Sequence, residues 1–209
     1  MNPIAVIDFE TTGLSPAQGD RATEIAIVVL EGTQVVGRFH SLMNAGVRIS
    51  PFIEAYTGIT NEMIRAAPSA ADIMIEAARF VGDMPLVAHN ASFDQRFWSA
   101  ELARLGGPLR TDPSMACTLL LSRRLYPDAG SYRLGSLAAF HSIEPAGRAH
   151  RAMADAEVAA GVLSRIQRDI RARYEVDEAP HDLLLKLQRA PRKALPMAIH
   201  GYFQMLREQ

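Results

Sequence analysis

The chain opens on an uninterrupted apolar run, Ile4 to Ile7, followed closely by two carboxylates, Asp8 and Glu10. β-Branched and small residues without polar alternation predict a strand that is buried on both faces. Side chains alternate between the two faces of a strand, so Asp8 and Glu10 project from one face and Phe9 from the other. The pattern therefore predicts a pair of acids at the end of a buried strand.

Two further β-like runs, at 22–31 and 34–43, predict an antiparallel meander with the first strand at 4–10. The run at 22–31 is rich in the branched aliphatic residues of a central strand. Residues 31–34, Glu-Gly-Thr-Gln, predict a tight hairpin turn between the second and third strands.

Beyond the meander the apolar spacing changes to that of helices, interrupted by short apolar strands. Ser69 or Ala70 begins an amphipathic helix that ends at Val81, and Asn61 and Asn90 are the predicted N-caps of two others. The remaining predicted elements are strands at 85–88 and 114–117 and helices at 90–105, 118–125, 134–141 and 151–173. Strands that alternate with helices after a meander indicate an α/β domain with a mixed sheet.

A domain of residues 1–174 and a helical C-terminal extension of residues 175–209 are the predicted organisation. Within the extension, residues 181–190 and 197–207 form two short amphipathic patterns, separated by Pro191 and Pro196. Their apolar positions suit packing against the domain as well as contact with a partner, so the oligomeric state stays open.

Composition narrows the class of function. The net charge of −1 over 209 residues gives no overall field for nucleic acid, so phosphate binding would require a local basic patch or a metal site. The single cysteine, Cys117, excludes an intrachain disulfide and is typical of a reducing cytosol. No apolar run approaches the roughly 18 residues of a membrane span. We therefore expect a soluble, cytoplasmic protein.

The paired acids are the first candidate for chemistry. Two like charges at the end of an apolar strand repel each other and resist desolvation. A hard divalent cation between Asp8 and Glu10 would relieve both effects. Two solvated charges at a strand end are the alternative interpretation.

Two later segments also place polar groups at the ends of predicted elements. Residues 89–94 join a strand to a helix, and ligands in α/β sheets collect at the carboxyl ends of strands. Residues 150–155 begin the longest helix. His150 and Asp155 would lie about 140° apart on a regular helix. They can converge only if His150 lies on the loop that precedes the helix. The alternative is that His150 is a cap or surface residue and that Asp155 interacts favourably with the helix dipole.

Three segments, taken in order, resemble the three motifs of the DEDDh 3′–5′ exonucleases, a family that includes the proofreading subunit of bacterial replicative DNA polymerase. They are Asp8-Phe-Glu10-Thr-Thr-Gly, His89-Asn-x-x-Phe-Asp94 and His150-Arg-Ala-x-x-Asp155-Ala. The resemblance covers about residues 3–170, and residues 57–63 resemble the substrate loop of the family. It implies a ribonuclease H-like α/β fold.

The resemblance also implies an activity, the release of nucleoside monophosphates from 3′ ends of single-stranded nucleic acid, with DNA favoured over RNA. Asp8, Glu10, Asp94 and Asp155 would hold two divalent cations, Mg²⁺ or Mn²⁺, and His150 would act as the general base. The substrate-binding residues that it implies are Thr11, Thr12, Leu14, Thr57, Ile59 and Phe93. Thr57 stands where the proofreading subunit has a histidine, so nucleotide handling need not match.

The implied partners are nucleic-acid 3′ ends, and a DNA polymerase or its clamp is a further candidate, although residues 175–209 contain no clear pattern for binding either. Several arginines are candidate phosphate contacts, and the alternative is that they are ordinary solvated surface residues. They are Arg96, Arg123, Arg124, Arg133, Arg148 and Arg151, with Arg148 and Arg151 favoured because they flank His150. We expect His89 to have a structural role.

The alternative function is a non-catalytic module on the same fold that binds nucleic acid or a polymerase. Such a module predicts that at least one of the acids is missing, and the chain retains all four acids and the histidine.

Overall fold

The computed structural model of the protein describes residues 2–106, 114–144 and 147–208. Its centre is a five-stranded sheet with the strand order β3-β2-β1-β4-β5. The strands are β1 (Ile4–Thr11), β2 (Ala22–Glu31), β3 (Gln34–Leu42), β4 (Leu86–Ala88) and β5 (Met115–Cys117). The first three form the antiparallel meander, whereas β4 pairs parallel to β1 and β5 parallel to β4. The predicted α/β class with a mixed sheet is confirmed.

Helices cover both faces of this sheet and, apart from one that was not predicted, follow the predicted order. Those found in the described ranges are α1 (Pro51–Thr57), α2 (Asn61–Ala66), α3 (Ala70–Val81), α4 (Ser92–Ala103), α5 (Thr118–Leu125), α6 (Leu134–Phe140), α7 (Ala152–Tyr174), α8 (His181–Leu187) and α9 (Leu195–Arg207). Across those ranges, no helix combines the length and the apolar character that a membrane span requires.

The two faces of β1 belong to different parts of the core. Ile4 and Val6 are buried in the cluster that contains the inner face of α7. Ala5, Ile7 and Phe9 are buried in the cluster that contains α3 and α4. Strand alternation therefore directs the side chains that follow Val6 at every second position toward α7, which brings the acids of β1 to the first turn of that helix.

The C-terminal helices share the α7 side of the core. Their buried residues in this cluster are Leu183, Leu184, Leu187, Leu195 and Ile199. The side chain of Gln188 also pairs with the edge of β5: the Cys117 N–H donates to Gln188 Oε1 at 2.6 Å, and Gln188 Nε2 donates to the Met115 carbonyl at 3.2 Å. Gln188 thus satisfies backbone groups that a further strand would otherwise pair. The thiol of Cys117 is free and buried.

Several local predictions are wrong. Thr60, not Asn61, caps α2, and its hydroxyl accepts from the Met63 N–H. The Asn61 side chain instead pairs with the backbone of Ile49. Asn90 is not an N-cap either, because α4 begins at Ser92 after Ala91.

One further helix and one helix boundary also differ from the pattern predicted from the sequence. The helix α1 was not predicted, although Ser50 caps it and Pro51 occupies its first turn. Pro196 does not separate two helices but lies in the first turn of α9, where its missing N–H costs no hydrogen bond.

Candidate functional site

The acids of β1 meet α7 at the carboxyl end of the strand. Asp8, Glu10 and Asp155 each offer a carboxylate oxygen, and these oxygens all lie within 4.8 Å of one another. Asp155 lies in the first turn of α7 between the buried residues Ala152 and Ala156, so the helix face that packs on the sheet also presents this carboxylate. The structure thus brings these three predicted acids together.

Asp94 lies beside this group. It occupies the first turn of α4, is almost fully buried, and its Oδ1 accepts a hydrogen bond from the Phe9 N–H at 3.2 Å. Its charge is close enough to raise the pKa of Asp8. The fourth predicted acid is therefore held to the backbone of β1, between the two acids of that strand.

Burial and mutual repulsion disfavour the ionised forms of these acids. Burial raises the pKa of Asp8 well above its usual range, and the charges of Asp94 and Glu10 raise it further. Burial and the charge of Asp155 raise the pKa of Glu10 to about 8. Burial likewise raises the pKa values of Asp94 and Asp155. A cluster of hard oxygen donors with this electrostatic cost fits a divalent cation, which would stabilise the ionised forms.

His150 meets the condition set by its spacing from Asp155. It precedes α7, whose N-cap is Arg151, and its φ of 61° lies in the left-handed region. Its N–H donates to Asp155 Oδ2 at 3.0 Å. A non-glycine residue in this conformation stores backbone strain, which is typical of functional sites. The strain here is offset by a contact to one of the acids.

An aromatic stack supports the His150 ring. The centroids of the Tyr56 and His150 rings lie 4.0 Å apart with 30° between their planes. The Phe52 ring is also nearly parallel to that of Tyr56, with its centroid 6.1 Å away. Both aromatic residues lie on α1, and the sequence analysis did not predict them as part of the site. The signal that could have found them is Ser50-Pro51, a helix start, followed by aromatic residues four apart.

Two cavities adjoin the acids. The apolar cavity, of about 520 Å³, contains Leu14, Phe52 and Phe93 in its wall. The larger cavity, of about 1000 Å³, contains Arg133, Ser136 and Ala149 in its wall. The residues common to both are Asp8, Tyr56, His89, His150 and Asp155. The catalytic candidates thus lie at the junction of two spaces, each large enough for part of an extended ligand.

Five of the six predicted substrate-binding residues line the apolar cavity. They are Thr11, Thr12, Leu14, Thr57 and Phe93. Leu14 is 78% exposed and free to contact a ligand. Ile59 does not line either cavity, because its side chain is fully buried in a small cluster with Ile49 and Ile64. Its sequence position next to Thr57 and Gly58 gave no indication of this inward orientation.

Hydrogen bonds fix the loop that follows β1. Thr11 Oγ1 donates to the Gly13 carbonyl at 2.6 Å. Thr12 Oγ1 accepts from the Arg21 N–H at 3.1 Å, while Asp20 accepts from the Ser15 N–H. Gly13 packs so closely against Asp20 that a Cβ at this position would lie 2.4 Å from Asp20 Oδ1. The apolar cavity therefore has a preorganised wall.

Arg151, a favoured phosphate contact in the sequence, is instead part of the fold. Its guanidinium binds Glu24 at 2.7 Å, and the Ala152 N–H donates to the same carboxylate at 3.0 Å. Burial would raise the pKa of Glu24, but hydrogen bonds from His40, Arg151 and Ala152 lower it to about 2. This pair attaches the start of α7 to β2.

Arg148 and His89 complete the surroundings. Arg148 is exposed, with its guanidinium against Gly58, where an added Cβ would lie 2.6 Å from Nη1. His89 bonds through Nδ1 to Thr118 Oγ1 at 2.8 Å and through Nε2 to the Tyr132 carbonyl at 3.0 Å. Burial lowers the pKa of His89 to about 4. With both ring nitrogens engaged, His89 has the structural position that we expected.

Comparisons with known proteins agree with this geometry. The exonuclease family model RNase_T matches residues 5–163. DNA polymerase III PolC-type from Bacillus subtilis (strain 168) is 36% identical over 164 residues, which are 78% of this chain and 11% of that protein. The 3′-5′ exonuclease DinG from the same strain is 34% identical over 184 residues, 88% of this chain and 19% of that protein. The chain thus spans a small part of these relatives.

Solved structures share the fold. Exonuclease X in complex with 5′ overhanging duplex DNA superposes with a TM-score of 0.67 and 27% identity, covering 87% of this chain and 99% of that one. Escherichia coli Exonuclease I in complex with a dT13 oligonucleotide gives a TM-score of 0.70 at 21% identity, covering 84% of this chain and 43% of that one. The second likeness concerns the fold alone.

Proposed function

The chain belongs to the exonuclease family, and from this membership and the site geometry we propose that it hydrolyses phosphodiester bonds at the 3′ end of single-stranded nucleic acid. Its fold is ribonuclease H-like. The observation that carries the proposal is the convergence of Asp8, Glu10 and Asp155 within 4.8 Å, beside Asp94 and His150. The direction of cleavage follows the 3′-5′ exonuclease DinG, to which most of the chain is similar.

The proposed cofactors are two divalent cations, Mg²⁺ or Mn²⁺, held by Asp8, Glu10, Asp94 and Asp155. Support comes from the chemistry of the donors, which are hard carboxylate oxygens whose ionised forms are unfavourable without a cation. Bound cations would supply activation of the attacking water and stabilisation of charge on the scissile phosphate.

The proposed role of His150 is to accept the proton of the attacking water at an imidazole nitrogen. Two contacts hold it for this task, the hydrogen bond from its N–H to Asp155 and the stack of its ring on Tyr56. Both restrict the backbone and the ring, so the proton acceptor keeps a fixed position relative to the acids.

The apolar cavity is the proposed site of the terminal nucleotide. Leu14 and Phe93 offer apolar and aromatic surface to the base. Thr11 and Thr12 contribute the ordered loop beside Glu10, and Thr57 lies on the α1 side of the cavity. The preference for DNA rests on Exonuclease X, whose structure contains DNA, and on the similarity to a DNA polymerase.

A polymerase partner is a further proposal, supported by the similarity to part of PolC. The division into a domain of residues 1–174 and an extension of residues 175–209 is also proposed, on the grounds that the family match ends at residue 163. The cytoplasmic location stays a prediction.

Cleavage of single-stranded DNA and RNA of one sequence, each labelled at the 5′ end, tests the proposal directly. We expect stepwise shortening from the 3′ end with Mg²⁺ or Mn²⁺, none with EDTA, and faster cleavage of DNA. Asp155→Asn should abolish turnover and reduce the rise in melting temperature caused by Mn²⁺. Asp169→Asn, a change of the same chemistry farther along α7, should retain turnover.

Binding without metal-dependent cleavage of either strand would exclude the enzyme and favour the non-catalytic module. Full turnover by Asp155→Asn would show that the acids are assigned to the wrong role.

A further inference from the structure

A third pocket, away from the acids, is lined by basic and aromatic side chains from both the main body and the C-terminal extension. This basic pocket has a volume of about 430 Å³. Its cationic residues are Arg124, Arg173, Arg192 and Lys193. One carboxylate, Asp128, lines it, and Asp169 lies 3.8 Å from Arg173. The pocket therefore has an excess of positive charge in a protein whose net charge is −1.

Two of these cations are fixed by the fold. Arg124 donates to the carbonyls of Ala190 and Leu120, at 2.9 and 2.8 Å. Arg173 donates to the Leu125 carbonyl at 2.7 Å, and its guanidinium lies over the Tyr126 ring. Bonds to neutral carbonyls hold the guanidinium of Arg124 without neutralising its charge, whereas Arg173 also lies 3.8 Å from the carboxylate of Asp169. Preorganised cations of this kind lose little side-chain entropy when they bind an anion.

The other two cations are available to a ligand. Arg192 and Lys193 are exposed, in a short 3₁₀ helix between α8 and α9. Within the described part of the chain, neither side chain has a hydrogen-bonded or ion-paired partner. Phe140, at the end of α6, is 46% exposed at the same pocket. Cations beside an exposed ring are the combination that binds single-stranded nucleic acid through phosphates and stacked bases.

Three helices connect this pocket to the larger cavity beside the acids. The larger cavity is lined by Leu119 of α5, Leu134 of α6 and Val158 of α7. The basic pocket is lined by later residues of the same helices, among them Leu125, Phe140 and Tyr174. From Asp155 to Arg173 the axis of α7 advances about 27 Å, which corresponds to roughly eight stacked nucleotides.

We propose that the basic pocket is a second nucleic-acid site, which binds the phosphates of the single strand whose 3′ end occupies the catalytic cavities. Arg192 and Lys193 give the C-terminal extension a role in this binding. The proposal rests on the proposed function for the identity of the strand. It predicts that long strands gain affinity from the pocket, whereas strands of four nucleotides do not reach it.

Binding in EDTA tests the proposal without cleavage. The probes are fluorescein-labelled dT20 and dT4, and the variants are Arg192→Glu/Lys193→Glu and the matched control Lys186→Glu/Arg189→Glu. The control makes the same change in net charge at exposed positions of the same extension that do not line the pocket. We expect the first variant to bind dT20 about tenfold more weakly, with a salt-dependence slope smaller by about 1.4. Binding of dT4 should not change.

A comparison with polyglutamate separates nucleic acid from other polyanions. Phe140→Ala should weaken binding of dT20 about fivefold and leave binding of polyglutamate unchanged, because only a base stacks on the ring. Equal losses for both polymers would assign the pocket to acidic peptides and overturn the proposal, as would equal affinity of the two charge-reversal variants for dT20. Failure of the proposed function is a separate result, the absence of cleavage of dT4 and dT20 by the unmodified protein with Mn²⁺.

Discussion

At the scale of single residues, Tyr56 decides where the ring of His150 lies. The centroids of the Tyr56 and His150 rings lie 4.0 Å apart, and the backbone of His150 occupies the left-handed region. We expect Tyr56→Leu to lower kcat about tenfold, because the proton acceptor loses its support. Tyr56→Phe, which keeps the ring, should restore kcat. The measurement is steady-state cleavage of a short single strand.

Phe52 provides the control for this prediction. Phe52 lies on the same helix and stacks on Tyr56. The ring that stacks on His150 is that of Tyr56. Phe52→Leu should raise KM, because Phe52 lines the apolar cavity where the terminal nucleotide is proposed to bind. The variant should leave kcat near that of the unmodified protein. An equal fall of kcat in both variants would show that α1 acts only as a structural element.

His89 makes the stability of the protein depend on pH. Burial lowers its pKa from 6.5 to about 4, so between these values the unfolded chain binds a proton that the folded protein does not. The stabilisation is therefore present above pH 6.5 and is lost as the pH falls toward 4. From pH 7.5 to 5, the unfolding free energy of the unmodified protein should decrease by about 2 kcal/mol relative to His89→Gln.

Urea denaturation of both proteins at several pH values measures this difference. A constant difference between pH 7.5 and 5 would show that His89 binds a proton equally in the folded and unfolded states.

At the scale of secondary structure, one buried carboxylate attaches the catalytic helix to the sheet. Glu24 of β2 has no exposed surface and binds both Arg151 and the Ala152 N–H at the start of α7. Glu24→Gln should lower the unfolding free energy by about 2–4 kcal/mol, since Arg151 loses its charged partner. Turnover should fall as well, because His150 and Asp155 lie in the segment that this contact holds.

The ion pair between Arg38 and Glu157 is the matched control, because it also joins α7 to the meander. Its side chains are 54% and 22% exposed, so Glu157→Gln should cost less than about 1 kcal/mol. Chemical denaturation and kcat of the two variants give the comparison. Similar losses in both would mean that burial of Glu24 does not strengthen its pair.

At the scale of the whole molecule, the C-terminal extension completes the core. Its large buried residues, such as Leu183 and Leu187, belong to the same cluster as α7 and β1. Each buried leucine contributes about 1.5–3 kcal/mol, and the total stability of a domain is about 5–15 kcal/mol. We therefore expect a chain that ends at Tyr174 to lack a cooperative thermal transition, as measured by circular dichroism.

Gln188 gives a milder test of the same contact. Gln188→Leu should lower the unfolding free energy by about 1–3 kcal/mol, because the buried Cys117 N–H loses its acceptor. A stable, folded chain of residues 1–174 would show instead that the extension adds little to the fold.

The sequence by itself determined the order of the strands and of every predicted helix, although not α1, because the apolar period is a local signal. Asp8, Glu10, Asp94, His150 and Asp155 were recognisable for a similar reason, since each lies in a short motif at the end of an element. The face of Asp8 and Glu10 followed from strand alternation alone.

Only the tertiary structure decided how these residues are used. It binds the guanidinium of Arg151, a predicted phosphate contact, to Glu24, which lies 127 residues away in the chain. It buries Ile59, supports His150 with Tyr56 and brings Arg192 and Lys193 to a pocket with Phe140. Each of these results depends on which distant surfaces pack together, and the local pattern around a residue contains no record of its partner across the core.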